Sequence, residues 1–482
     1  MIRLGHLLKI CKPVAMMGPN LEPTGALTDD SRHVVPGGVF IAVKGTVSDG
    51  HDHIASAIAK GASVVVCERF DGDDSATTVV LVKSTRAVLL PLALAFQGHP
   101  EKDLRLVGVT GTNGKTTVST LIWQVLRRLD IPAGLIGTVE KRINDESVDS
   151  KLTTPGAIEL AADLRRAADA GCQVVAMEVS SHALDQNRTK GLKFEVALFT
   201  NLTHDHLDYH RTLEAYARAK RKLFDTLPKA STAIVNMDDH QGTGMVARTR
   251  ASVWSVRLGD SEIRVISSSV DGLVLDIDGT VVASPLAGRF NAYNVSQAYL
   301  ACVALGLNQN NVAAALSTAP GAPGRLERVP SPAGSPAVFV DYAHTPDALD
   351  NVLGTLASLK SADQSLVCVF GCGGNRDTTK RPKMAAIAER HCDHMVITSD
   401  NPRFEDPETI LDDVQRGFSA TARFTRIADR SAAIAASVSQ ADASTVIVIA
   451  GKGHETYQDI QGVRHPLDDR ELAAAAIRRR TP

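Results

Sequence analysis

The segment from residue 104 to 117 constrains the fold of this chain more than any other. It reads Leu-Arg-Leu-Val-Gly-Val-Thr-Gly-Thr-Asn-Gly-Lys-Thr-Thr, so an apolar, strand-like run enters a glycine-containing turn and continues into a helical pattern. Backbone N–H groups in such a turn, and at the N-terminus of the following helix, bind phosphate oxygens. A lysine adds positive charge, and a threonine hydroxyl is suited to Mg²⁺. The segment therefore predicts a loop for a nucleoside triphosphate, made by Gly111, Thr112, Asn113, Gly114, Lys115, Thr116 and Thr117.

This loop is a variant of the usual P-loop pattern. Val109 stands where that pattern has its first glycine, and an additional glycine is found at Gly111. An ordinary glycine turn between a strand and a helix is the alternative. The combination of a strand, Gly-Lys-Thr and a helix favours phosphate binding.

The length and charge of the chain limit the class of protein. Its 482 residues are enough for about two to four domains. The formal net charge is −2, whereas proteins that bind nucleic acids or membrane surfaces carry a basic excess. No apolar run approaches the ~20 residues that span a bilayer. The seven cysteines are scattered and form no Cys-x-x-Cys pair, which is typical of a reduced protein. We therefore expect a cytoplasmic protein with no nucleic-acid partner and no membrane insertion.

The chain divides into three predicted domains, residues 1–100, 101–326 and 327–482. Segments rich in proline and glycine at 320–324 and 330–336 separate the last two. The predicted fold class is α/β, with a smaller N-terminal α/β domain, a central mononucleotide-binding domain with a parallel sheet, and a C-terminal Rossmann-like domain.

Long apolar runs carry this fold prediction. Strands buried on both faces are apolar throughout rather than alternating, which indicates parallel sheets covered by helices. In the central domain the predicted strands are residues 104–110, 173–179, 195–201 and 232–236, and the predicted helices are 115–129, 212–227 and 292–305. In the C-terminal domain the predicted strands are residues 337–342, 366–370, 394–398 and 445–450.

Polar motifs follow the predicted central strands where those strands end. Glu178 begins Glu-Val-Ser-Ser-His, and residues 204–210 read His-Asp-His-Leu-Asp-Tyr-His. Ligands of open α/β sheets collect at the carboxyl ends of strands, and Mg²⁺ prefers carboxylate oxygen. Glu178 and His206 are therefore candidate metal ligands beside Thr116, with hydrogen-bonded strand ends as the alternative. Residues 391–394, His-Cys-Asp-His, have no standard zinc spacing and are interpreted as ordinary helix-end residues.

Taken together, the motifs of this sequence resemble those of Mur ligases, in the same order and over all three predicted domains. Mur ligases are ATP-dependent enzymes that add amino acids to UDP-muramoyl peptides in bacterial cell-wall synthesis. Within the family, the sequence is most similar to the ligases that add the third amino acid. The motifs are Asp30-Ser-Arg, Pro36-Gly-Gly, the loop at 111–117, Glu178-Val-Ser-Ser-His, residues 204–210, Ala219-Lys-x-x-Leu-Phe, Asn291-Ala-Tyr-Asn, Gly324-Arg-Leu-Glu and Asp341-Tyr-Ala-His-Thr-Pro-Asp.

The resemblance implies roles that the spacing of residues does not. Lys220 lies in a lysine-rich helix that its spacing would make a solvated basic face, yet it matches the lysine that is carbamylated in the family (N6-carboxylysine). A carbamate supplies anionic oxygen, so Lys220 is expected to bind a second Mg²⁺ with Glu178 and His206. Lys115, Glu178, His206 and Lys220 are then the expected catalytic residues. The resemblance further implies ATP binding by Asn294, Arg325 and Asp341, and binding of the UDP-sugar and its peptide by Ser31, Thr153, Thr154, Ser180, Gln186 and Arg188.

Three predicted strand ends in the C-terminal domain are expected to select the amino acid. Arg376 and Arg403 offer planar guanidinium groups for carboxylates, and Glu455 can accept an ammonium. Meso-diaminopimelate has carboxylates and amines at both ends, whereas lysine lacks the distal carboxylate. Asp-Asn-Pro-Arg at 400–403 resembles the version in diaminopimelate-adding Mur ligases. The alternative is that Arg403 pairs structurally with Asp400 or Glu405. The predicted pocket comprises Arg376, Asp400, Asn401, Pro402, Arg403, Gly451 and Glu455.

The resemblance implies an acid–amino-acid ligase that joins meso-diaminopimelate to UDP-N-acetylmuramoyl-L-alanyl-D-glutamate through an acyl phosphate. ATP is then a substrate, two Mg²⁺ ions are expected, and the chain is expected to act as a monomer. Two alternatives stay open. One is another ligase on the same scaffold, such as a lysine-adding or polyglutamate-forming enzyme. The other is an ATP- or GTP-dependent switch protein, although the sequence has no Asn-Lys-x-Asp segment for guanine.

Overall fold

The structure is a computed structural model, and it describes residues 2–45, 48–72, 75–148, 150–259 and 262–480. The chain forms two compact units. The first comprises Met1–Val256 and Leu300–Gly306, and the second comprises Arg257–Tyr299 and Leu307–Pro482.

The first unit begins with a five-stranded sheet in the order β1-β5-β4-β3-β2, in which only β1 and β5 are antiparallel. Successive residues of its strands pack in two different apolar cores, because neighbouring side chains in a strand point to opposite faces. The strands are β1 (Ala15–Met17), β2 (Leu27–Thr28), β3 (Val39–Ile41), β4 (Val64–Cys67) and β5 (Thr78–Leu81), and the helices are α1 (Leu4–Cys11), α2 (Ile54–Ala59) and α3 (Thr85–Phe96).

An eight-stranded sheet follows in the same unit, in the order β13-β12-β11-β6-β10-β7-β8-β9. Its strands are β6 (Arg105–Thr110), β7 (Ala133–Ile136), β8 (Lys141–Ile143), β9 (Glu146–Val148), β10 (Val174–Glu178), β11 (Phe194–Phe199), β12 (Thr232–Asn236) and β13 (Ser252–Val256). The helices are α4 (Lys115–Arg128), α5 (Ala157–Asp169), α6 (Ser181–Asp185), α7 (Leu207–His210), α8 (Leu213–Asp225) and α9 (Gly242–Val246).

The order of this sheet determines where a ligand can bind. β6 lies between β10 and β11, and all three are parallel. After β6 the chain first forms β7 to β10 on one side of this strand, and it later forms β11 to β13 on the other side. The loop after β6 is therefore at a topological switch point, where open α/β sheets bind ligands.

The second unit contains three sheets. A meander of β14 (Ile263–Ser269), β15 (Gly272–Ile277) and β16 (Thr280–Ser284) precedes α10 (Arg289–Ala304) and α11 (Gln309–Leu316). A six-stranded sheet in the order β17-β18-β22-β19-β20-β21 is parallel except for β17. Its strands are β17 (Glu327–Arg328), β18 (Ala337–Asp341), β19 (Ser365–Phe370), β20 (His394–Ile397), β21 (Phe424–Arg426) and β22 (Thr445–Ala450). A hairpin of β23 (Tyr457–Ile460) and β24 (Val463–Pro466) follows, and the helices are α12 (Pro346–Leu359), α13 (Lys380–His391), α14 (Pro407–Gln415), α15 (Arg430–Gln440) and α16 (Asp469–Arg480).

Both faces of the six-stranded sheet are covered by helices. Val446 and Val448 of β22 pack in one core with residues of α12, α13 and α14. Ile447 and Ile449 pack in another core with residues of α15 and α16. This is why β22 is apolar throughout, which confirms the prediction of a strand buried on two faces.

The predicted α/β class is confirmed, and the predicted strands and helices lie within a few residues of their observed bounds. The central sheet is parallel from β13 to β7, and β8 and β9 extend it antiparallel. Residues 391–394 end α13 and begin β20, as interpreted from their spacing. The domain boundaries at 100 and 326 stay a prediction. Within the described ranges, no helix is long and apolar enough to cross a membrane.

Candidate active site

The turn between β6 and α4 has the geometry that a phosphate-binding loop requires. Gly111 has a φ of +152°, and a Cβ atom at this position would lie 1.8 Å from Thr200 Oγ1, just beyond the end of β11. Only glycine tolerates this approach. Gly114 has a φ of +84° and is followed directly by Lys115, the first residue of α4. The loop is therefore shaped by its backbone between two parallel strand ends.

Lys115 folds back over this loop. Its Nζ donates to the carbonyl oxygens of Gly111, at 2.9 Å, and Thr112, at 2.8 Å. The other side of the loop is held by Asn201, which accepts from the Thr112 N–H with its carbonyl and from the Asn113 N–H with Oδ1. A phosphate would offer Lys115 stronger, anionic acceptors than two carbonyls.

Glu178 ends β10, beside β6, and its side chain is buried. Its Oε1 accepts from the Thr138 backbone N–H at 2.7 Å, and its Oε2 accepts from Thr138 Oγ1 at 3.1 Å. Thr138 Oγ1 is also 3.0 Å from Thr153 Oγ1. These contacts are those of a hydrogen-bonded strand end, and a metal role for Glu178 stays a prediction. Thr138 was not indicated by the sequence.

Four of the residues predicted to bind the UDP-sugar and peptide form one hydrogen-bonded group next to Glu178. Thr154 Oγ1 donates to the Glu178 carbonyl at 2.9 Å and accepts from the Ser180 N–H at 3.0 Å. Arg188 donates to the Thr154 carbonyl at 3.1 Å and to Gln186 Oε1 at 3.0 Å. The structure therefore brings Thr154, Ser180, Gln186 and Arg188 together at the end of β10.

Ser31 follows the N-terminal strand β2 and begins the single helical turn Ser31–His33. The side chain of Asp30 caps this turn by accepting from the Arg32 N–H at 2.9 Å. Lys60 Nζ donates to the Ser31 carbonyl at 3.0 Å. The turn is held in place by its own contacts, and sugar binding by Ser31 stays a prediction.

Lys220 corrects the interpretation of α8 as a solvated basic face. Its side chain is only 1% exposed, and Nζ donates to the Gly111 carbonyl at 2.6 Å. Nζ also lies 4.5 Å from the centre of the Tyr216 ring. Burial, with the nearby charge of Lys115, holds the pKa of the Lys220 amine well below its usual value. Lys220 is therefore an inward-facing amine at the phosphate loop with a reduced tendency to carry a proton.

His206 immediately precedes α7 with a φ of +52° and lies in an aromatic group. The centre of its ring is 4.9 Å from that of His182, and the His182 ring is 5.4 Å from that of His210. Burial lowers the pKa of His182 and His210, which favours their neutral forms. His182 and His210 were not singled out from the sequence, although both lie inside motifs that were quoted.

The chemistry of the side chains decides whether the predicted metal set fits Mg²⁺. In the part of the chain that the structure describes, no group of three or more His, Cys, Asp or Glu side chains is arranged to hold a metal ion. Of the predicted ligands, Glu178 and Thr116 offer oxygen and His206 offers nitrogen. Lys220 as an amine is a poor partner, since Mg²⁺ prefers oxygen. The set fits this cation only if Lys220 carries an oxygen-bearing group.

The residues predicted to bind ATP in the second unit lie at ordered positions. Asp341 ends β18, and its carboxylate accepts from the Leu326 N–H at 2.6 Å and the Ala343 N–H at 2.8 Å. Burial raises the pKa of this carboxyl group. The Arg325 guanidinium lies 5.0 Å from the centre of the Tyr342 ring. Asn294 is buried in α10, where Nδ2 donates to Asn291 Oδ1 at 2.9 Å.

The three strand ends predicted to select the amino acid are brought together by the order of the sheet. β22, β19 and β20 are neighbours and parallel, so the loops that follow them meet at one edge. The Gly374 N–H donates to the Asn401 carbonyl at 2.9 Å, and Arg403 Nη1 donates to the Gly374 carbonyl at 2.9 Å. Asn401 Nδ2 donates to Glu455 Oε2 at 2.9 Å. Arg376 lies in the loop after β19 and is exposed.

Gly451 allows two of these loops to approach closely. Its φ is +120°, and a Cβ atom there would lie 2.7 Å from Asp400 Oδ2. Arg403 itself has a φ of +53° and is held by the hairpin, because its N–H donates to the Asp459 carbonyl at 2.9 Å. The loop that carries Arg403 therefore has little conformational freedom.

A structural ion pair of Arg403 was the alternative to ligand binding. In the described part of the chain, no ion pair joins Arg403 to Asp400 or Glu405. Glu405 instead pairs with the buried Arg381 at 2.7 Å. The Arg403 guanidinium is half-buried with a carbonyl, not a carboxylate, as its described acceptor.

Two groups beneath this pocket were missed by the sequence analysis. Arg430 and Asp469 form a fully buried pair, with Nε to Oδ1 at 2.8 Å and Nη2 to Oδ2 at 2.6 Å. Their separation in sequence gives no local signal. Lys452 is also buried and contacts both Asn401 and Glu455. Lys452 lies between Gly451 and Glu455, two residues of the predicted pocket, and this position is a sequence signal for it.

Three segments of the chain match models of one protein family. The models are described as Mur ligase family, catalytic domain, at residues 26–96; Mur ligase middle domain, at residues 109–302; and Mur ligase, glutamate ligase domain, at residues 324–453. The fold and the phosphate loop described above are those of an α/β nucleotide-binding protein. The chain belongs to the Mur ligase family, as its motifs indicated.

Several similar proteins share one name. The chain is 46% identical to the UDP-N-acetylmuramoyl-L-alanyl-D-glutamate--2,6-diaminopimelate ligase of Cytophaga hutchinsonii, over 92% of this chain and 93% of the relative. It is 40% identical to the ligase of the same name from Geobacter sulfurreducens, over 99% of each chain. A solved structure of a ligase with this name matches with a TM-score of 0.73 and 33% identity, over 98% of both chains. Folylpolyglutamate synthase of Mycobacterium tuberculosis, with a TM-score of 0.60 and 22% identity over 80% of this chain and 93% of the other, shares the fold.

Proposed function

We propose that this chain is an ATP-dependent ligase that joins meso-diaminopimelate to UDP-N-acetylmuramoyl-L-alanyl-D-glutamate. Relatives that are 40–46% identical over nearly the whole chain are named for this pair of substrates. The observation in this molecule that carries the proposal is the linked pocket at the ends of β19, β20 and β22. There Arg403 and Glu455 present opposite charges on loops that Asn401 joins.

The reaction requires activation of a carboxylate, which is a poor electrophile. The γ-carboxylate of D-glutamate attacks the γ-phosphorus of ATP, forming an acyl phosphate as ADP leaves. The amine of diaminopimelate then attacks the acyl carbon, and phosphate leaves as the amide forms and the amine releases a proton. Lys115 and the N–H groups of the loop offset charge on the transferring phosphoryl group. Mg²⁺, when bound, would supply further positive charge near the transferring phosphoryl group.

Two Mg²⁺ ions are proposed, and the residues proposed to hold them are Thr116, Glu178, His206 and Lys220. Within this proposal Lys220 is carbamylated: its lone pair attacks CO₂, a C–N bond forms and a proton is lost. The burial of Lys220 and its lowered pKa support this step, because only the neutral amine is nucleophilic. Mass spectrometry of the native protein in bicarbonate buffer tests it. The added mass of one CO₂, absent in Lys220→Met, is expected, and an unmodified mass contradicts this part of the proposal.

The pocket favours diaminopimelate over lysine. Both molecules carry an α-amino acid group at one end, but lysine offers no distal carboxylate to the half-buried Arg403. Leaving such a group without its partner costs about 1–3 kcal/mol, which corresponds to roughly 5- to 150-fold in kcat/KM. The selectivity is therefore proposed to lie within that range.

Phosphate release by the purified protein tests the whole proposal. The assay contains Mg²⁺, ATP and the UDP-muramoyl dipeptide, and compares meso-diaminopimelate, L-lysine and no amino acid. Release with diaminopimelate, and a product of matching mass, are expected. Release with lysine alone would overturn the specificity and keep the ligase. Turnover without any acceptor or amino acid would contradict the ligase and favour a switch protein.

Size-exclusion chromatography tests the predicted monomer, and the cytoplasmic location stays a prediction.

A further inference from the structure

Lys452 is a charged side chain beneath the amino-acid pocket to which neither the sequence motifs nor the proposed reaction assigns a role. It follows β22, and its side chain is fully buried. Nζ donates to Asn401 Oδ1 at 3.0 Å and to Glu455 Oε2 at 3.0 Å. The Tyr457 ring lies on a further side, with its centre 5.4 Å from Nζ. The ammonium therefore donates to two oxygens and lies within cation–π distance of an aromatic ring.

Lys452 and a backbone N–H of the hairpin together decide which way the Asn401 amide points. Asn401 Oδ1 accepts from Lys452 Nζ and from the Asp459 N–H, at 2.9 Å. Its Nδ2 then has to face Glu455, to which it donates at 2.9 Å. Because an amide can be turned end for end in the same space, the cation and the backbone N–H beside Oδ1 together fix this orientation.

The same ammonium fixes the Glu455 carboxylate. In the described part of the chain, the side-chain hydrogen bonds to Glu455 from Lys452 and Asn401 both reach Oε2. Glu455 is 19% exposed, whereas Lys452 is not exposed at all. The pair is therefore asymmetric: the cation is enclosed, and the carboxylate has a side that solvent or a ligand can reach.

We propose that Lys452 is a positioning residue for the amino-acid substrate. It holds Asn401 and Glu455 in one arrangement, with the open side of the carboxylate available to a substrate ammonium. Lys452 does not touch the reacting atoms in this assignment. The inference rests on the proposed function, since it concerns the same pocket.

A purely structural role makes a different prediction. Removing one member of a buried ion pair lowers the stability of the fold, and such a loss acts on the whole molecule rather than on the binding of one substrate. A lysine retained only for packing is therefore replaceable by methionine with no effect on one substrate alone. A positioning lysine is not, because methionine leaves Asn401 Oδ1 with the Asp459 N–H as its remaining donor and leaves Glu455 Oε2 without its second donor.

The test compares Lys452→Met, Lys452→Gln and the control Lys360→Met in the full-length protein. Lys360 also combines a carbonyl contact, to Gln364, with an ion pair, to Asp393, in the same unit. We measure kcat and the KM for ATP, the UDP-muramoyl dipeptide and meso-diaminopimelate, together with the thermal midpoint. Lys452→Met is expected to raise the KM for diaminopimelate at least tenfold and to leave the KM for ATP within twofold. Lys452→Gln keeps a donor and is expected to fall between wild type and Lys452→Met.

Other outcomes separate the possible failures. Unchanged KM values in a folded Lys452→Met variant overturn the positioning role, as does an equal rise in all three. If Lys452→Met does not fold, Lys452→Gln decides by the same comparison of KM values. Wild-type protein that shows no diaminopimelate-dependent turnover refutes the proposed function instead. Lys360→Met is expected to match wild type in every KM.

Discussion

Replacing Arg430 with methionine is expected to destabilise the second unit strongly. The guanidinium of Arg430 makes two hydrogen bonds to Asp469, and both side chains are fully buried. Nη2 also donates to the Ala450 carbonyl at 3.1 Å, and Nη1 donates to the Ser399 carbonyl at 3.4 Å. Arg430 thus joins the last residue of β22 to the residue before Asp400, beneath the amino-acid pocket.

The magnitude follows from what the substitution leaves behind. Methionine replaces the volume of the aliphatic part of Arg430, but Asp469 then keeps a buried charge without its cation. Breaking a buried pair in this way costs about 3–5 kcal/mol, much of which is the unpaired charge rather than the lost attraction. Two backbone carbonyls also lose a donor, which places the effect toward the upper end of that range.

A double variant distinguishes this explanation from simple loss of packing. In Arg430→Met with Asp469→Leu, both charges are absent and the site is apolar, so more than half of the lost stability is expected to return. Urea unfolding of wild type, both single variants and the double variant measures the four free energies. A loss below about 1 kcal/mol in Arg430→Met, or a double variant no more stable than the worse single variant, would refute the argument.

Three further predictions concern the loop, the specificity and the pH dependence. Gly111→Ala places a Cβ atom 1.8 Å from Thr200 Oγ1 and is expected to abolish ATP binding in a titration, whereas Gly156→Ala, where a Cβ atom meets nothing within 4 Å, is the matched control. Arg403→Ala is expected to lower kcat/KM for diaminopimelate roughly 10- to 150-fold and to leave that for lysine unchanged, because only the former loses a charged hydrogen bond; equal losses would contradict the specificity argument. Burial lowers the pKa of His454 from 6.5 to about 4, so the unfolded chain binds a proton that the folded chain excludes as pH falls through that interval. Stability is therefore expected to decrease from pH 7 to pH 4, and His454→Gln should weaken this dependence in urea unfolding; identical pH profiles would contradict it.

The strands that carry the site could be predicted from the sequence because they are buried on two faces. Val446 to Ile449 pack alternately in two cores, and a run of this kind has a clear apolar signature. The antiparallel strands β8, β9 and β14 lack it. β14 is exposed over most of its length, so its residues carry no burial pattern to detect.

The environment of single charged residues was harder to predict than the strands. Lys220 has lysine and arginine neighbours on α8, and its local sequence is that of a solvated helix face. The structure buries it because α8 packs with Tyr216 and Lys220 toward the phosphate loop. Arg430 and Asp469 lie on two helices that pack together, and only the fold brings them into contact. Burial of a charge depends on tertiary partners that a local pattern does not contain.

The two ion pairs beneath the amino-acid pocket differ in a way that separates stability from binding. Arg430 and Asp469 are both fully buried, so every polar contact of that pair is internal and its loss acts on folding. Lys452 is equally buried, but Glu455 is 19% exposed, so one member of the second pair can meet a ligand. Substituting Arg430 should therefore act mainly on the unfolding transition and less on the KM for diaminopimelate. Substituting Lys452 should act mainly on that KM. Its effect on the free energy of unfolding should be smaller, because a carboxylate with access to solvent is less penalised when it loses its cation.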